Sequence, residues 1–183
     1  MKYSDSVLKW LEAGYEMFAE IGPGNFNVEQ LAKKIGSNKS GFYHYFVDRE
    51  IFFEELMIYH SQVGEKFAQE LSILNDFMPG YPQLLFRYKT GMFVQIQLRI
   101  NFDNPLFKKY YLIVKERNNK YQIPLWAKYL NLTDIQLATE LFSIISDLMV
   151  ARVEAKKMNI DFLIGSLEGI KMTVEKIRSK KMP

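Results

Sequence analysis

Apolar residues recur every three or four positions along nearly the whole chain, and no stretch of useful length alternates between apolar and polar residues. Val7, Leu11, Tyr15 and Phe18 show this spacing, which is typical of an amphipathic helix over about residues 4–20. Clusters of Gly, Pro, Asn and Asp interrupt the pattern and mark helix ends. The sequence therefore predicts an all-α protein with about nine helices.

Helix-breaking clusters divide the second part of the chain. They lie at 75–82, 101–105, 118–120 and 131–134. The predicted helices cover about 83–100, 105–117, 134–157 and 160–180. Region 121–130, which contains Pro124, is predicted to be a short or irregular helix.

Composition argues against several classes of protein. The chain has no cysteine, which excludes disulfides and thiolate chemistry and fits a cytoplasmic location. No uncharged apolar run approaches the ~20 residues of a membrane-spanning helix, and the charged N-terminus is no signal peptide. His44 and His60 have no carboxylate at ligand spacing, and no phosphate-binding glycine loop or nucleophile motif is present. We therefore expect no enzyme, no cofactor, no metal and no membrane partner.

The stretch Ser37–Phe46 combines small polar residues with five consecutive ring-bearing residues. One interpretation is a strand with an RNA-binding signature, but Tyr43 stands where that signature needs a small residue. A second is a core helix, which explains Phe42 and Phe46, four positions apart on one face. A core helix leaves Lys39 and Tyr43 on another face, and glycine in a helix interior costs about 1 kcal/mol relative to alanine.

A helix-turn-helix explains both faces of this stretch. A short helix after Asn27 begins with a capping pattern and ends at Gly36, and a second helix starts after Ser37 or Asn38. In such a motif the second helix packs its inner face on the protein and presents its outer face to the DNA major groove. The amide groups at the start of a helix also suit phosphate.

Residues 7–55 resemble the TetR family of bacterial transcriptional regulators along an unbroken segment. That family has a first helix ending in Phe-x-x-x-Gly, a capped second helix with an aliphatic-Ala pair, a turn glycine, a recognition helix ending in Tyr-x-x-Phe, and a basic residue soon after. The matching residues here are Phe18, Gly22, Leu31, Ala32, Gly36, Tyr43, Phe46 and Arg49.

The resemblance implies a three-helix DNA-binding domain at 1–50 and a helical ligand-binding and dimerisation domain at 51–183. It implies a DNA-binding regulator, expected to be a repressor, as a homodimer on a palindromic operator of double-stranded DNA. Expected phosphate contacts are Asn27, Tyr43, Tyr45 and Arg49, and the residues expected to approach the bases and nearby phosphates are Asn38, Lys39, Ser40 and Gly41.

Glu29 departs from this pattern, because an acid near a phosphate-contact position repels DNA unless it reads a cytosine amino group. It leaves open an alternative function, a helical adaptor of the same fold that has lost DNA binding. Between Gln30 and Val47, however, the chain carries three lysines and no acid, which places local positive charge where DNA binding needs it.

A small apolar or aromatic effector is the second partner that the resemblance implies. Sixteen Phe, Tyr or Trp residues lie between Phe52 and Tyr129, and such residues form either core or pocket walls. The predicted pocket residues are Tyr88, Met92, Gln95 and Arg99. Gln95 and Arg99 lie one helical turn apart and suit a carboxylate, although a solvated helix end explains Arg99 equally well.

The last two predicted helices show patterns of an interface. Ile160, Leu163, Leu167, Ile170, Val174 and Ile177 alternate steps of three and four, like a coiled-coil seam. These faces can pack within one chain, but the resemblance implies that both helices pair across a dimer. The predicted interface residues are Phe142, Ile145, Met149, Gly165, Gly169 and Thr173.

Overall fold

The computed structural model describes residues 3–152 and 159–179, and the side chains of 148–152 lie outside this description. The described residues form nine α-helices and no strand, which confirms the all-α prediction. The helices are α1 (Asp5–Ile21), α2 (Val28–Lys34), α3 (Lys39–Phe46), α4 (Arg49–Ser72), α5 (Gly80–Arg87), α6 (Lys89–Ile100), α7 (Pro105–Tyr129), α8 (Ile135–Arg152) and α9 (Ile160–Ser179).

The first three helices begin at side-chain caps. Ser4 Oγ accepts a hydrogen bond from the amide of Val7, and Asn27 caps α2 as predicted. Of the two caps considered for α3, the structure uses Asn38, whose Oδ1 accepts from the amide of Gly41 at 2.9 Å. Each cap satisfies amide groups that have no partner inside the helix, so these boundaries are set locally.

Two predicted boundaries in the second part of the chain are wrong. The region 83–100 is not one helix, since α5 ends before Tyr88 and α6 begins after it. Conversely, α7 runs unbroken for 25 residues through the predicted breaks and through Pro124. An interior proline costs about 3 kcal/mol, but the buried side chains of Ile123 and Trp126 on either side of it hold this segment in the core.

The chain divides into two compact units. The first unit contains the residues up to Lys66 together with Lys89–Lys115. Its core is strongly aromatic, and Phe42 packs edge-on against Trp10 with ring centroids 5.6 Å apart. Further buried members of this core are Phe18, Phe26, Phe46, Phe52, Phe53 and Phe107.

The second unit contains Phe67–Tyr88 and the residues from Glu116 onward. Its core gathers around Trp126, whose side chain is fully buried. Phe77 stacks on Tyr81 at 4.5 Å, and Phe142 meets the Trp126 ring edge-on at 5.8 Å. The division of function near residue 50 stays a prediction.

No helix among the described residues combines the length and the apolar character needed to cross a membrane. The described residues likewise hold no cluster of three or more His, Asp or Glu side chains suited to a metal ion.

Candidate nucleic-acid interface

A helix-turn-helix occupies the predicted position. α2 ends at Lys34, and Gly36 turns the chain with φ at 68°, a backbone angle that glycine adopts without steric cost. The amide of Ser37 donates to the carbonyl of Ala32 at 2.8 Å and closes the end of α2. α3 begins two residues later, so the turn glycine predicted from the sequence is the residue that the backbone requires.

α3 has two chemically different faces. Phe42 and Phe46 are buried, and both rings lie within 5.2 Å of Phe52 in α4, measured between centroids. The rest of the helix surface is exposed, with the Tyr43 side chain 44% accessible on one flank and that of Tyr45 40% accessible on the other. Lys39, Ser40 and His44 are also exposed on this helix. The aromatic stretch is therefore core on one side and a polar surface on the other.

Asn38 and Gly41, two of the residues predicted to approach the bases, contribute to the local structure of α3. The Oδ1 atom of Asn38 is committed to the cap of α3. Gly41 is half-buried, and a Cβ at this position would lie 2.8 Å from Ser37 Oγ and 3.5 Å from the Trp10 ring. This crowding explains why a glycine stands inside the helix. Close approach of Gly41 to a base stays a prediction.

The N-terminus of α2 is exposed beside the turn. Asn27 Oδ1 accepts from the amides of Glu29 and Gln30 at 2.9 and 3.1 Å. The carboxylate of Glu29 is exposed in the first turn, where it complements the positive end of the helix. Glu29 can therefore stabilise the start of α2, and this structural role is an alternative to reading a cytosine amino group.

The start of α4 contains a feature that the sequence did not predict. Val47 adopts φ 56° and ψ −57°, and the amide of Asp48 donates to the carbonyl of Phe46 across it. This is a tight three-residue turn in a region where β-branched residues are rare. Asp48 then caps α4 by accepting from the amide of Ile51 at 2.8 Å. The turn sets the direction of the backbone just before Arg49, the first residue of α4 and a predicted phosphate contact.

Exposed cations surround the helix-turn-helix. Lys33 and Lys39 are exposed, whereas the ammonium of Lys34 pairs with the carboxylate of Glu16 at 2.8 Å. Arg49 is exposed as well, and its guanidinium carbon lies 5.7 Å from the ring centroid of Phe53. Its Nη2 atom also lies 4.0 Å from a carboxylate oxygen of Glu50, and because both side chains are exposed, Arg49 remains accessible to an anionic partner.

Comparison with known families identifies the N-terminal segment. Residues 11–56, which include α2, the turn and α3, match the model for bacterial regulatory proteins of the tetR family. Over these residues the chain is similar to the TetR family. The resemblance that the sequence suggested is thereby confirmed over these residues, and the match points to a family of regulators and not to an enzyme family. No curated protein matches the chain.

Solved structures share the TetR-family fold along nearly the whole chain. A protein from Mesorhizobium loti MAFF303099, assigned to the TetR-family transcriptional regulators, superposes with a TM-score of 0.61 at 18% identity, covering 96% of this chain and 98% of the other. A transcriptional regulator from Aquifex aeolicus VF5 gives a TM-score of 0.61 at 20% identity, covering 92% and 99%. At these identities the likeness establishes the fold.

The four residues predicted for a TetR-type effector pocket do not form one helical stripe. Tyr88 lies between α5 and α6, in the second unit, and its hydroxyl donates to Glu70 at 2.7 Å. Burial and this carboxylate raise the pKa of Tyr88 to about 12. Met92, Gln95 and Arg99 belong to the first unit. Met92 is half-buried there, and Arg99 is exposed.

Both polar atoms of the Gln95 side-chain amide already have hydrogen-bond partners. Its Oε1 lies 3.1 Å from Nε2 of His60, and its Nε2 donates to the carbonyl of Tyr111 at 3.4 Å. A ligand carboxylate would have to displace these partners. A surface crevice of 290 Å³ in the second unit is lined by different residues, namely Asp76, Phe77, Met78, Lys128, Tyr129, Asn131 and Lys171.

The residues predicted for the TetR-type dimer interface fall into two groups. Phe142 and Ile145 in α8 pack against the core of the second unit. Gly165, Gly169 and Thr173 in α9 are exposed, and a Cβ at either glycine would meet no described atom within 4 Å. Met149 lies in α8, but its side chain is outside the described residues.

Most of the predicted coiled-coil seam packs within the chain, because Leu163 and Leu167 are buried and Ile170 and Val174 contact the core that contains Leu167, whereas Ile177 is 55% accessible. Sequence reasoning missed other exposed apolar residues on α8 and α9. Ile144, Phe162 and Met172 are 56%, 41% and 56% accessible. Helical geometry places Phe162 and Met172 on the glycine-bearing side of α9, and Ile144 on the side of α8 away from the core.

Proposed function

We propose that the protein is a transcriptional regulator that binds a palindromic operator of double-stranded DNA as a homodimer. We propose further that a small apolar or aromatic effector releases it from DNA, so that it acts as a repressor. The observation that carries the proposal is the two-faced α3, with Phe42 and Phe46 buried and Lys39, Ser40, Tyr43 and Tyr45 exposed.

The chemistry of the outer face fits DNA. Lys39 supplies a cation at the start of the helix, where backbone amides and the helix dipole also favour phosphate. The hydroxyls of Tyr43 and Tyr45 and the guanidinium of Arg49 can donate to phosphate oxygens. A core-facing helix would not expose two tyrosines and a lysine in this order, so a purely structural role for α3 explains less of its sequence.

A dimer is proposed from the exposed side of α9. Gly165 and Gly169 present bare backbone between Phe162 and Met172, a surface on which another helix can approach closely. One short recognition helix makes few contacts, and a two-fold axis would place a second copy on the other half-site. Exposed apolar residues on both α8 and α9 are what an uncovered interface requires.

The effector is proposed to bind in the second unit, next to Trp126. The indole Nε1–H of Trp126 and Oδ1 of Asn118 are buried in the described structure without a hydrogen-bond partner. Tyr81, which belongs to the same core cluster as Trp126, donates to Gln122 at 3.2 Å, and Gln122 donates to Asn119 at 2.7 Å. Buried polar atoms rarely lack partners, so an aromatic effector with a hydrogen-bond acceptor suits this place.

DNA binding is tested by selecting fragments of the source genome that the purified protein retains and then measuring affinity for the selected duplex against salt concentration. A regulator should bind with a steep inverse dependence on salt and should prefer the selected duplex over a scrambled one. Retention of no fragment, with binding to a protein partner instead, would favour the adaptor function.

The effector site has a built-in reporter, because the chain has two tryptophans, Trp10 in the first unit and Trp126 in the second. In the Trp10→Phe variant the remaining emission comes from Trp126. A panel of uncharged aromatic compounds and aromatic carboxylates is titrated, and binders are tested for release of DNA. A compound that shifts Trp126 emission and weakens DNA binding should itself bind more weakly when DNA is present, by the same factor. If no compound of the panel changes either Trp126 emission or DNA binding, the proposal that an effector releases the protein from DNA is contradicted.

A further inference from the structure

Positive charge is concentrated outside the helix-turn-helix, in the other segment of the first unit. Lys89–Lys115 contains five Lys or Arg residues and one Asp, a net charge of +4, whereas the whole chain carries +3. The remainder of the chain is therefore slightly acidic. A segment that departs this far from the rest of its own chain has a local electrostatic field suited to an anionic partner.

Three of these five cations lie where α6 turns into α7, at residues 99–109, here called the α6–α7 corner. The guanidinium carbon of Arg99 and the Nζ atom of Lys108 lie 5.5 and 5.1 Å from the centroid of the same ring, that of Phe102. The Nζ atom of Lys109 lies 5.4 Å from the ring of its neighbour Tyr110. Two helices thus place Arg99 and Lys108 against one ring, and Lys109 follows Lys108 in α7.

These cations are accessible. Arg99, Lys108 and Lys109 are all exposed. In the described part of the chain no carboxylate forms a salt bridge with Lys108 or Lys109. Cation–π contacts orient such side chains without neutralising them. The corner also contains one exposed acid, Asp103, so its three cations give it a net charge of +2, which favours a polyanion as its partner.

The corner adjoins the proposed DNA surface through direct packing within the first unit. Phe107, which precedes Lys108, has its ring 5.8 Å from that of Phe53, and Arg49 lies over the Phe53 ring at 5.7 Å. At the end of α1, a Cβ on Gly22 would lie 2.5 Å from Oε1 of Gln97, two residues before Arg99. The corner therefore packs against α4, the helix that carries Arg49, and α6 next to it contacts the end of α1.

We infer that the α6–α7 corner is a second DNA contact surface, with Arg99, Lys108 and Lys109 binding backbone phosphates outside the segment read by α3. This inference rests on the proposed function. The expected contacts are independent of base sequence, because lysine and arginine bind phosphate oxygens without reading base edges. The corner thus lengthens the bound DNA and adds affinity without adding sequence preference.

The test compares two duplexes, the selected operator and the same operator extended by about ten base pairs, one helical turn, on each side. Affinity is measured by fluorescence anisotropy over a range of salt concentrations. The variants are the double change Lys108→Ala with Lys109→Ala, the charge-preserving pair Lys108→Arg with Lys109→Arg, and Lys66→Ala as a control at an exposed cation of α4 away from the corner.

On the extended duplex the double alanine variant should lower the salt slope by about two units per protomer, because each missing lysine leaves about one phosphate without its cation. The arginine pair should retain the wild-type slope, and Lys66→Ala should change nothing. On the short operator all three variants should behave like the wild type. An unchanged slope on the extended duplex, or an equal reduction on both duplexes, would overturn the inference.

Lys39→Ala separates this inference from the proposed function, because Lys39 lies on α3 and its replacement should weaken binding to both duplexes. If the wild type binds neither duplex in a salt-dependent manner, the proposed function itself fails. If Lys39→Ala weakens binding while the corner variants do not, only the second contact surface is wrong. Circular dichroism spectra that match the wild type would establish that the variants are folded.

Discussion

The hydroxyl oxygen of Tyr15 in α1 lies 2.7 Å from Nδ1 of His60 in α4, and both side chains are buried. On the other side of the ring, Nε2 of His60 lies 3.1 Å from the carbonyl oxygen of Gln95. That oxygen can only accept, so Nε2 carries the imidazole proton and Nδ1 accepts from Tyr15. The network joins α1, α4 and α6 inside the first unit and orients the imidazole of His60.

Removing the Tyr15 hydroxyl should destabilise the protein more than the loss of one small group would suggest. Tyr15→Phe keeps the ring but leaves Nδ1 of His60 buried without a donor, which typically costs ~1–3 kcal/mol. Urea denaturation measures the change in the free energy of unfolding. The matched control is Tyr43→Phe, which removes a hydroxyl from an exposed ring and should cost little. Equal stability of both variants would show that the Tyr15–His60 bond contributes nothing.

Alkaline pH should destabilise the fold through the same residue. Burial raises the pKa of Tyr15 well above its ordinary value of 10.0. Because the folded pKa is the higher one, the stabilising contribution is complete below pH 10 and is lost as pH rises toward the folded value. The free energy of unfolding should fall by about 1.4 kcal/mol per pH unit in that window for each such tyrosine. A Tyr15→Phe variant should show a shallower fall, measured by denaturation at several pH values.

The outer face of α3 should carry DNA affinity. Lys39→Ala should weaken binding and lower the salt slope by about one unit per protomer if Lys39 contacts phosphate. If it reads a guanine, the loss should be ~1–3 kcal/mol, with relaxed specificity at one position. Tyr43→Phe should weaken binding through loss of a phosphate donor. Both side chains are exposed, so thermal stability should stay near the wild-type value. Normal binding by both variants would remove the case for α3 as a recognition helix.

The turn before α4 should store strain that glycine can release. Val47 has φ at 56°, and its side chain is 73% accessible, so a smaller residue would forfeit little packing. Such backbone conformations cost ~1–3 kcal/mol for non-glycine residues, partly offset by the greater entropy of glycine in the unfolded chain. Val47→Gly should therefore raise the free energy of unfolding by about 1 kcal/mol.

The control for the strained turn is Ile73→Gly, because Ile73 is 76% accessible and is not in a positive-φ conformation. The stability of both variants is measured by thermal melts, in which Ile73→Gly should be neutral or destabilised. A Val47→Gly protein that melts below the wild type, as Ile73→Gly is expected to do, would argue against strain at Val47.

A bulky side chain on the glycine-bearing side of α9 should disrupt the dimer without disturbing the fold of the protomer. A Cβ at Gly169 would meet no described atom within 4 Å, so Gly169→Leu fits the protomer. At a helix–helix interface the same leucine would overpack, which typically costs ~1–3 kcal/mol, and a two-fold axis would double the clash. Light scattering should show a shift toward monomer, and specific DNA binding should fall although α3 is unchanged.

Gln69→Leu on the exposed side of α4 is the matched control, since it adds an apolar side chain elsewhere on the second unit. It should leave both mass and DNA affinity at wild-type values. A wild-type protein that is monomeric, or a Gly169→Leu protein that stays dimeric and binds normally, would place the dimer interface elsewhere or exclude it.

Short-range patterns in the sequence determined the helical class, the helix-turn-helix and its caps. Capping by Asn27 and the positive φ of Gly36 depend on residues within a few positions, so they can be read from the chain itself. The two-sided character of α3 was also predictable, because helical spacing puts Phe42 and Phe46 on one face and turns Tyr43, His44 and Tyr45 away from it. The TetR-family character of residues 11–56 follows from these local patterns in their order.

Tertiary contacts decided the rest. Pro124 stays helical because the core around Trp126 outweighs its local cost, and Gln95 is bonded to His60, 35 positions away in the chain. Arg178 in the last turn of α9 donates to the carbonyls of Leu130 and Asn131, which follow α7 and lie 48 and 47 positions away in the chain. Such long-range burial and pairing energies have no signature in a local window, and so a sequence pattern cannot reveal them.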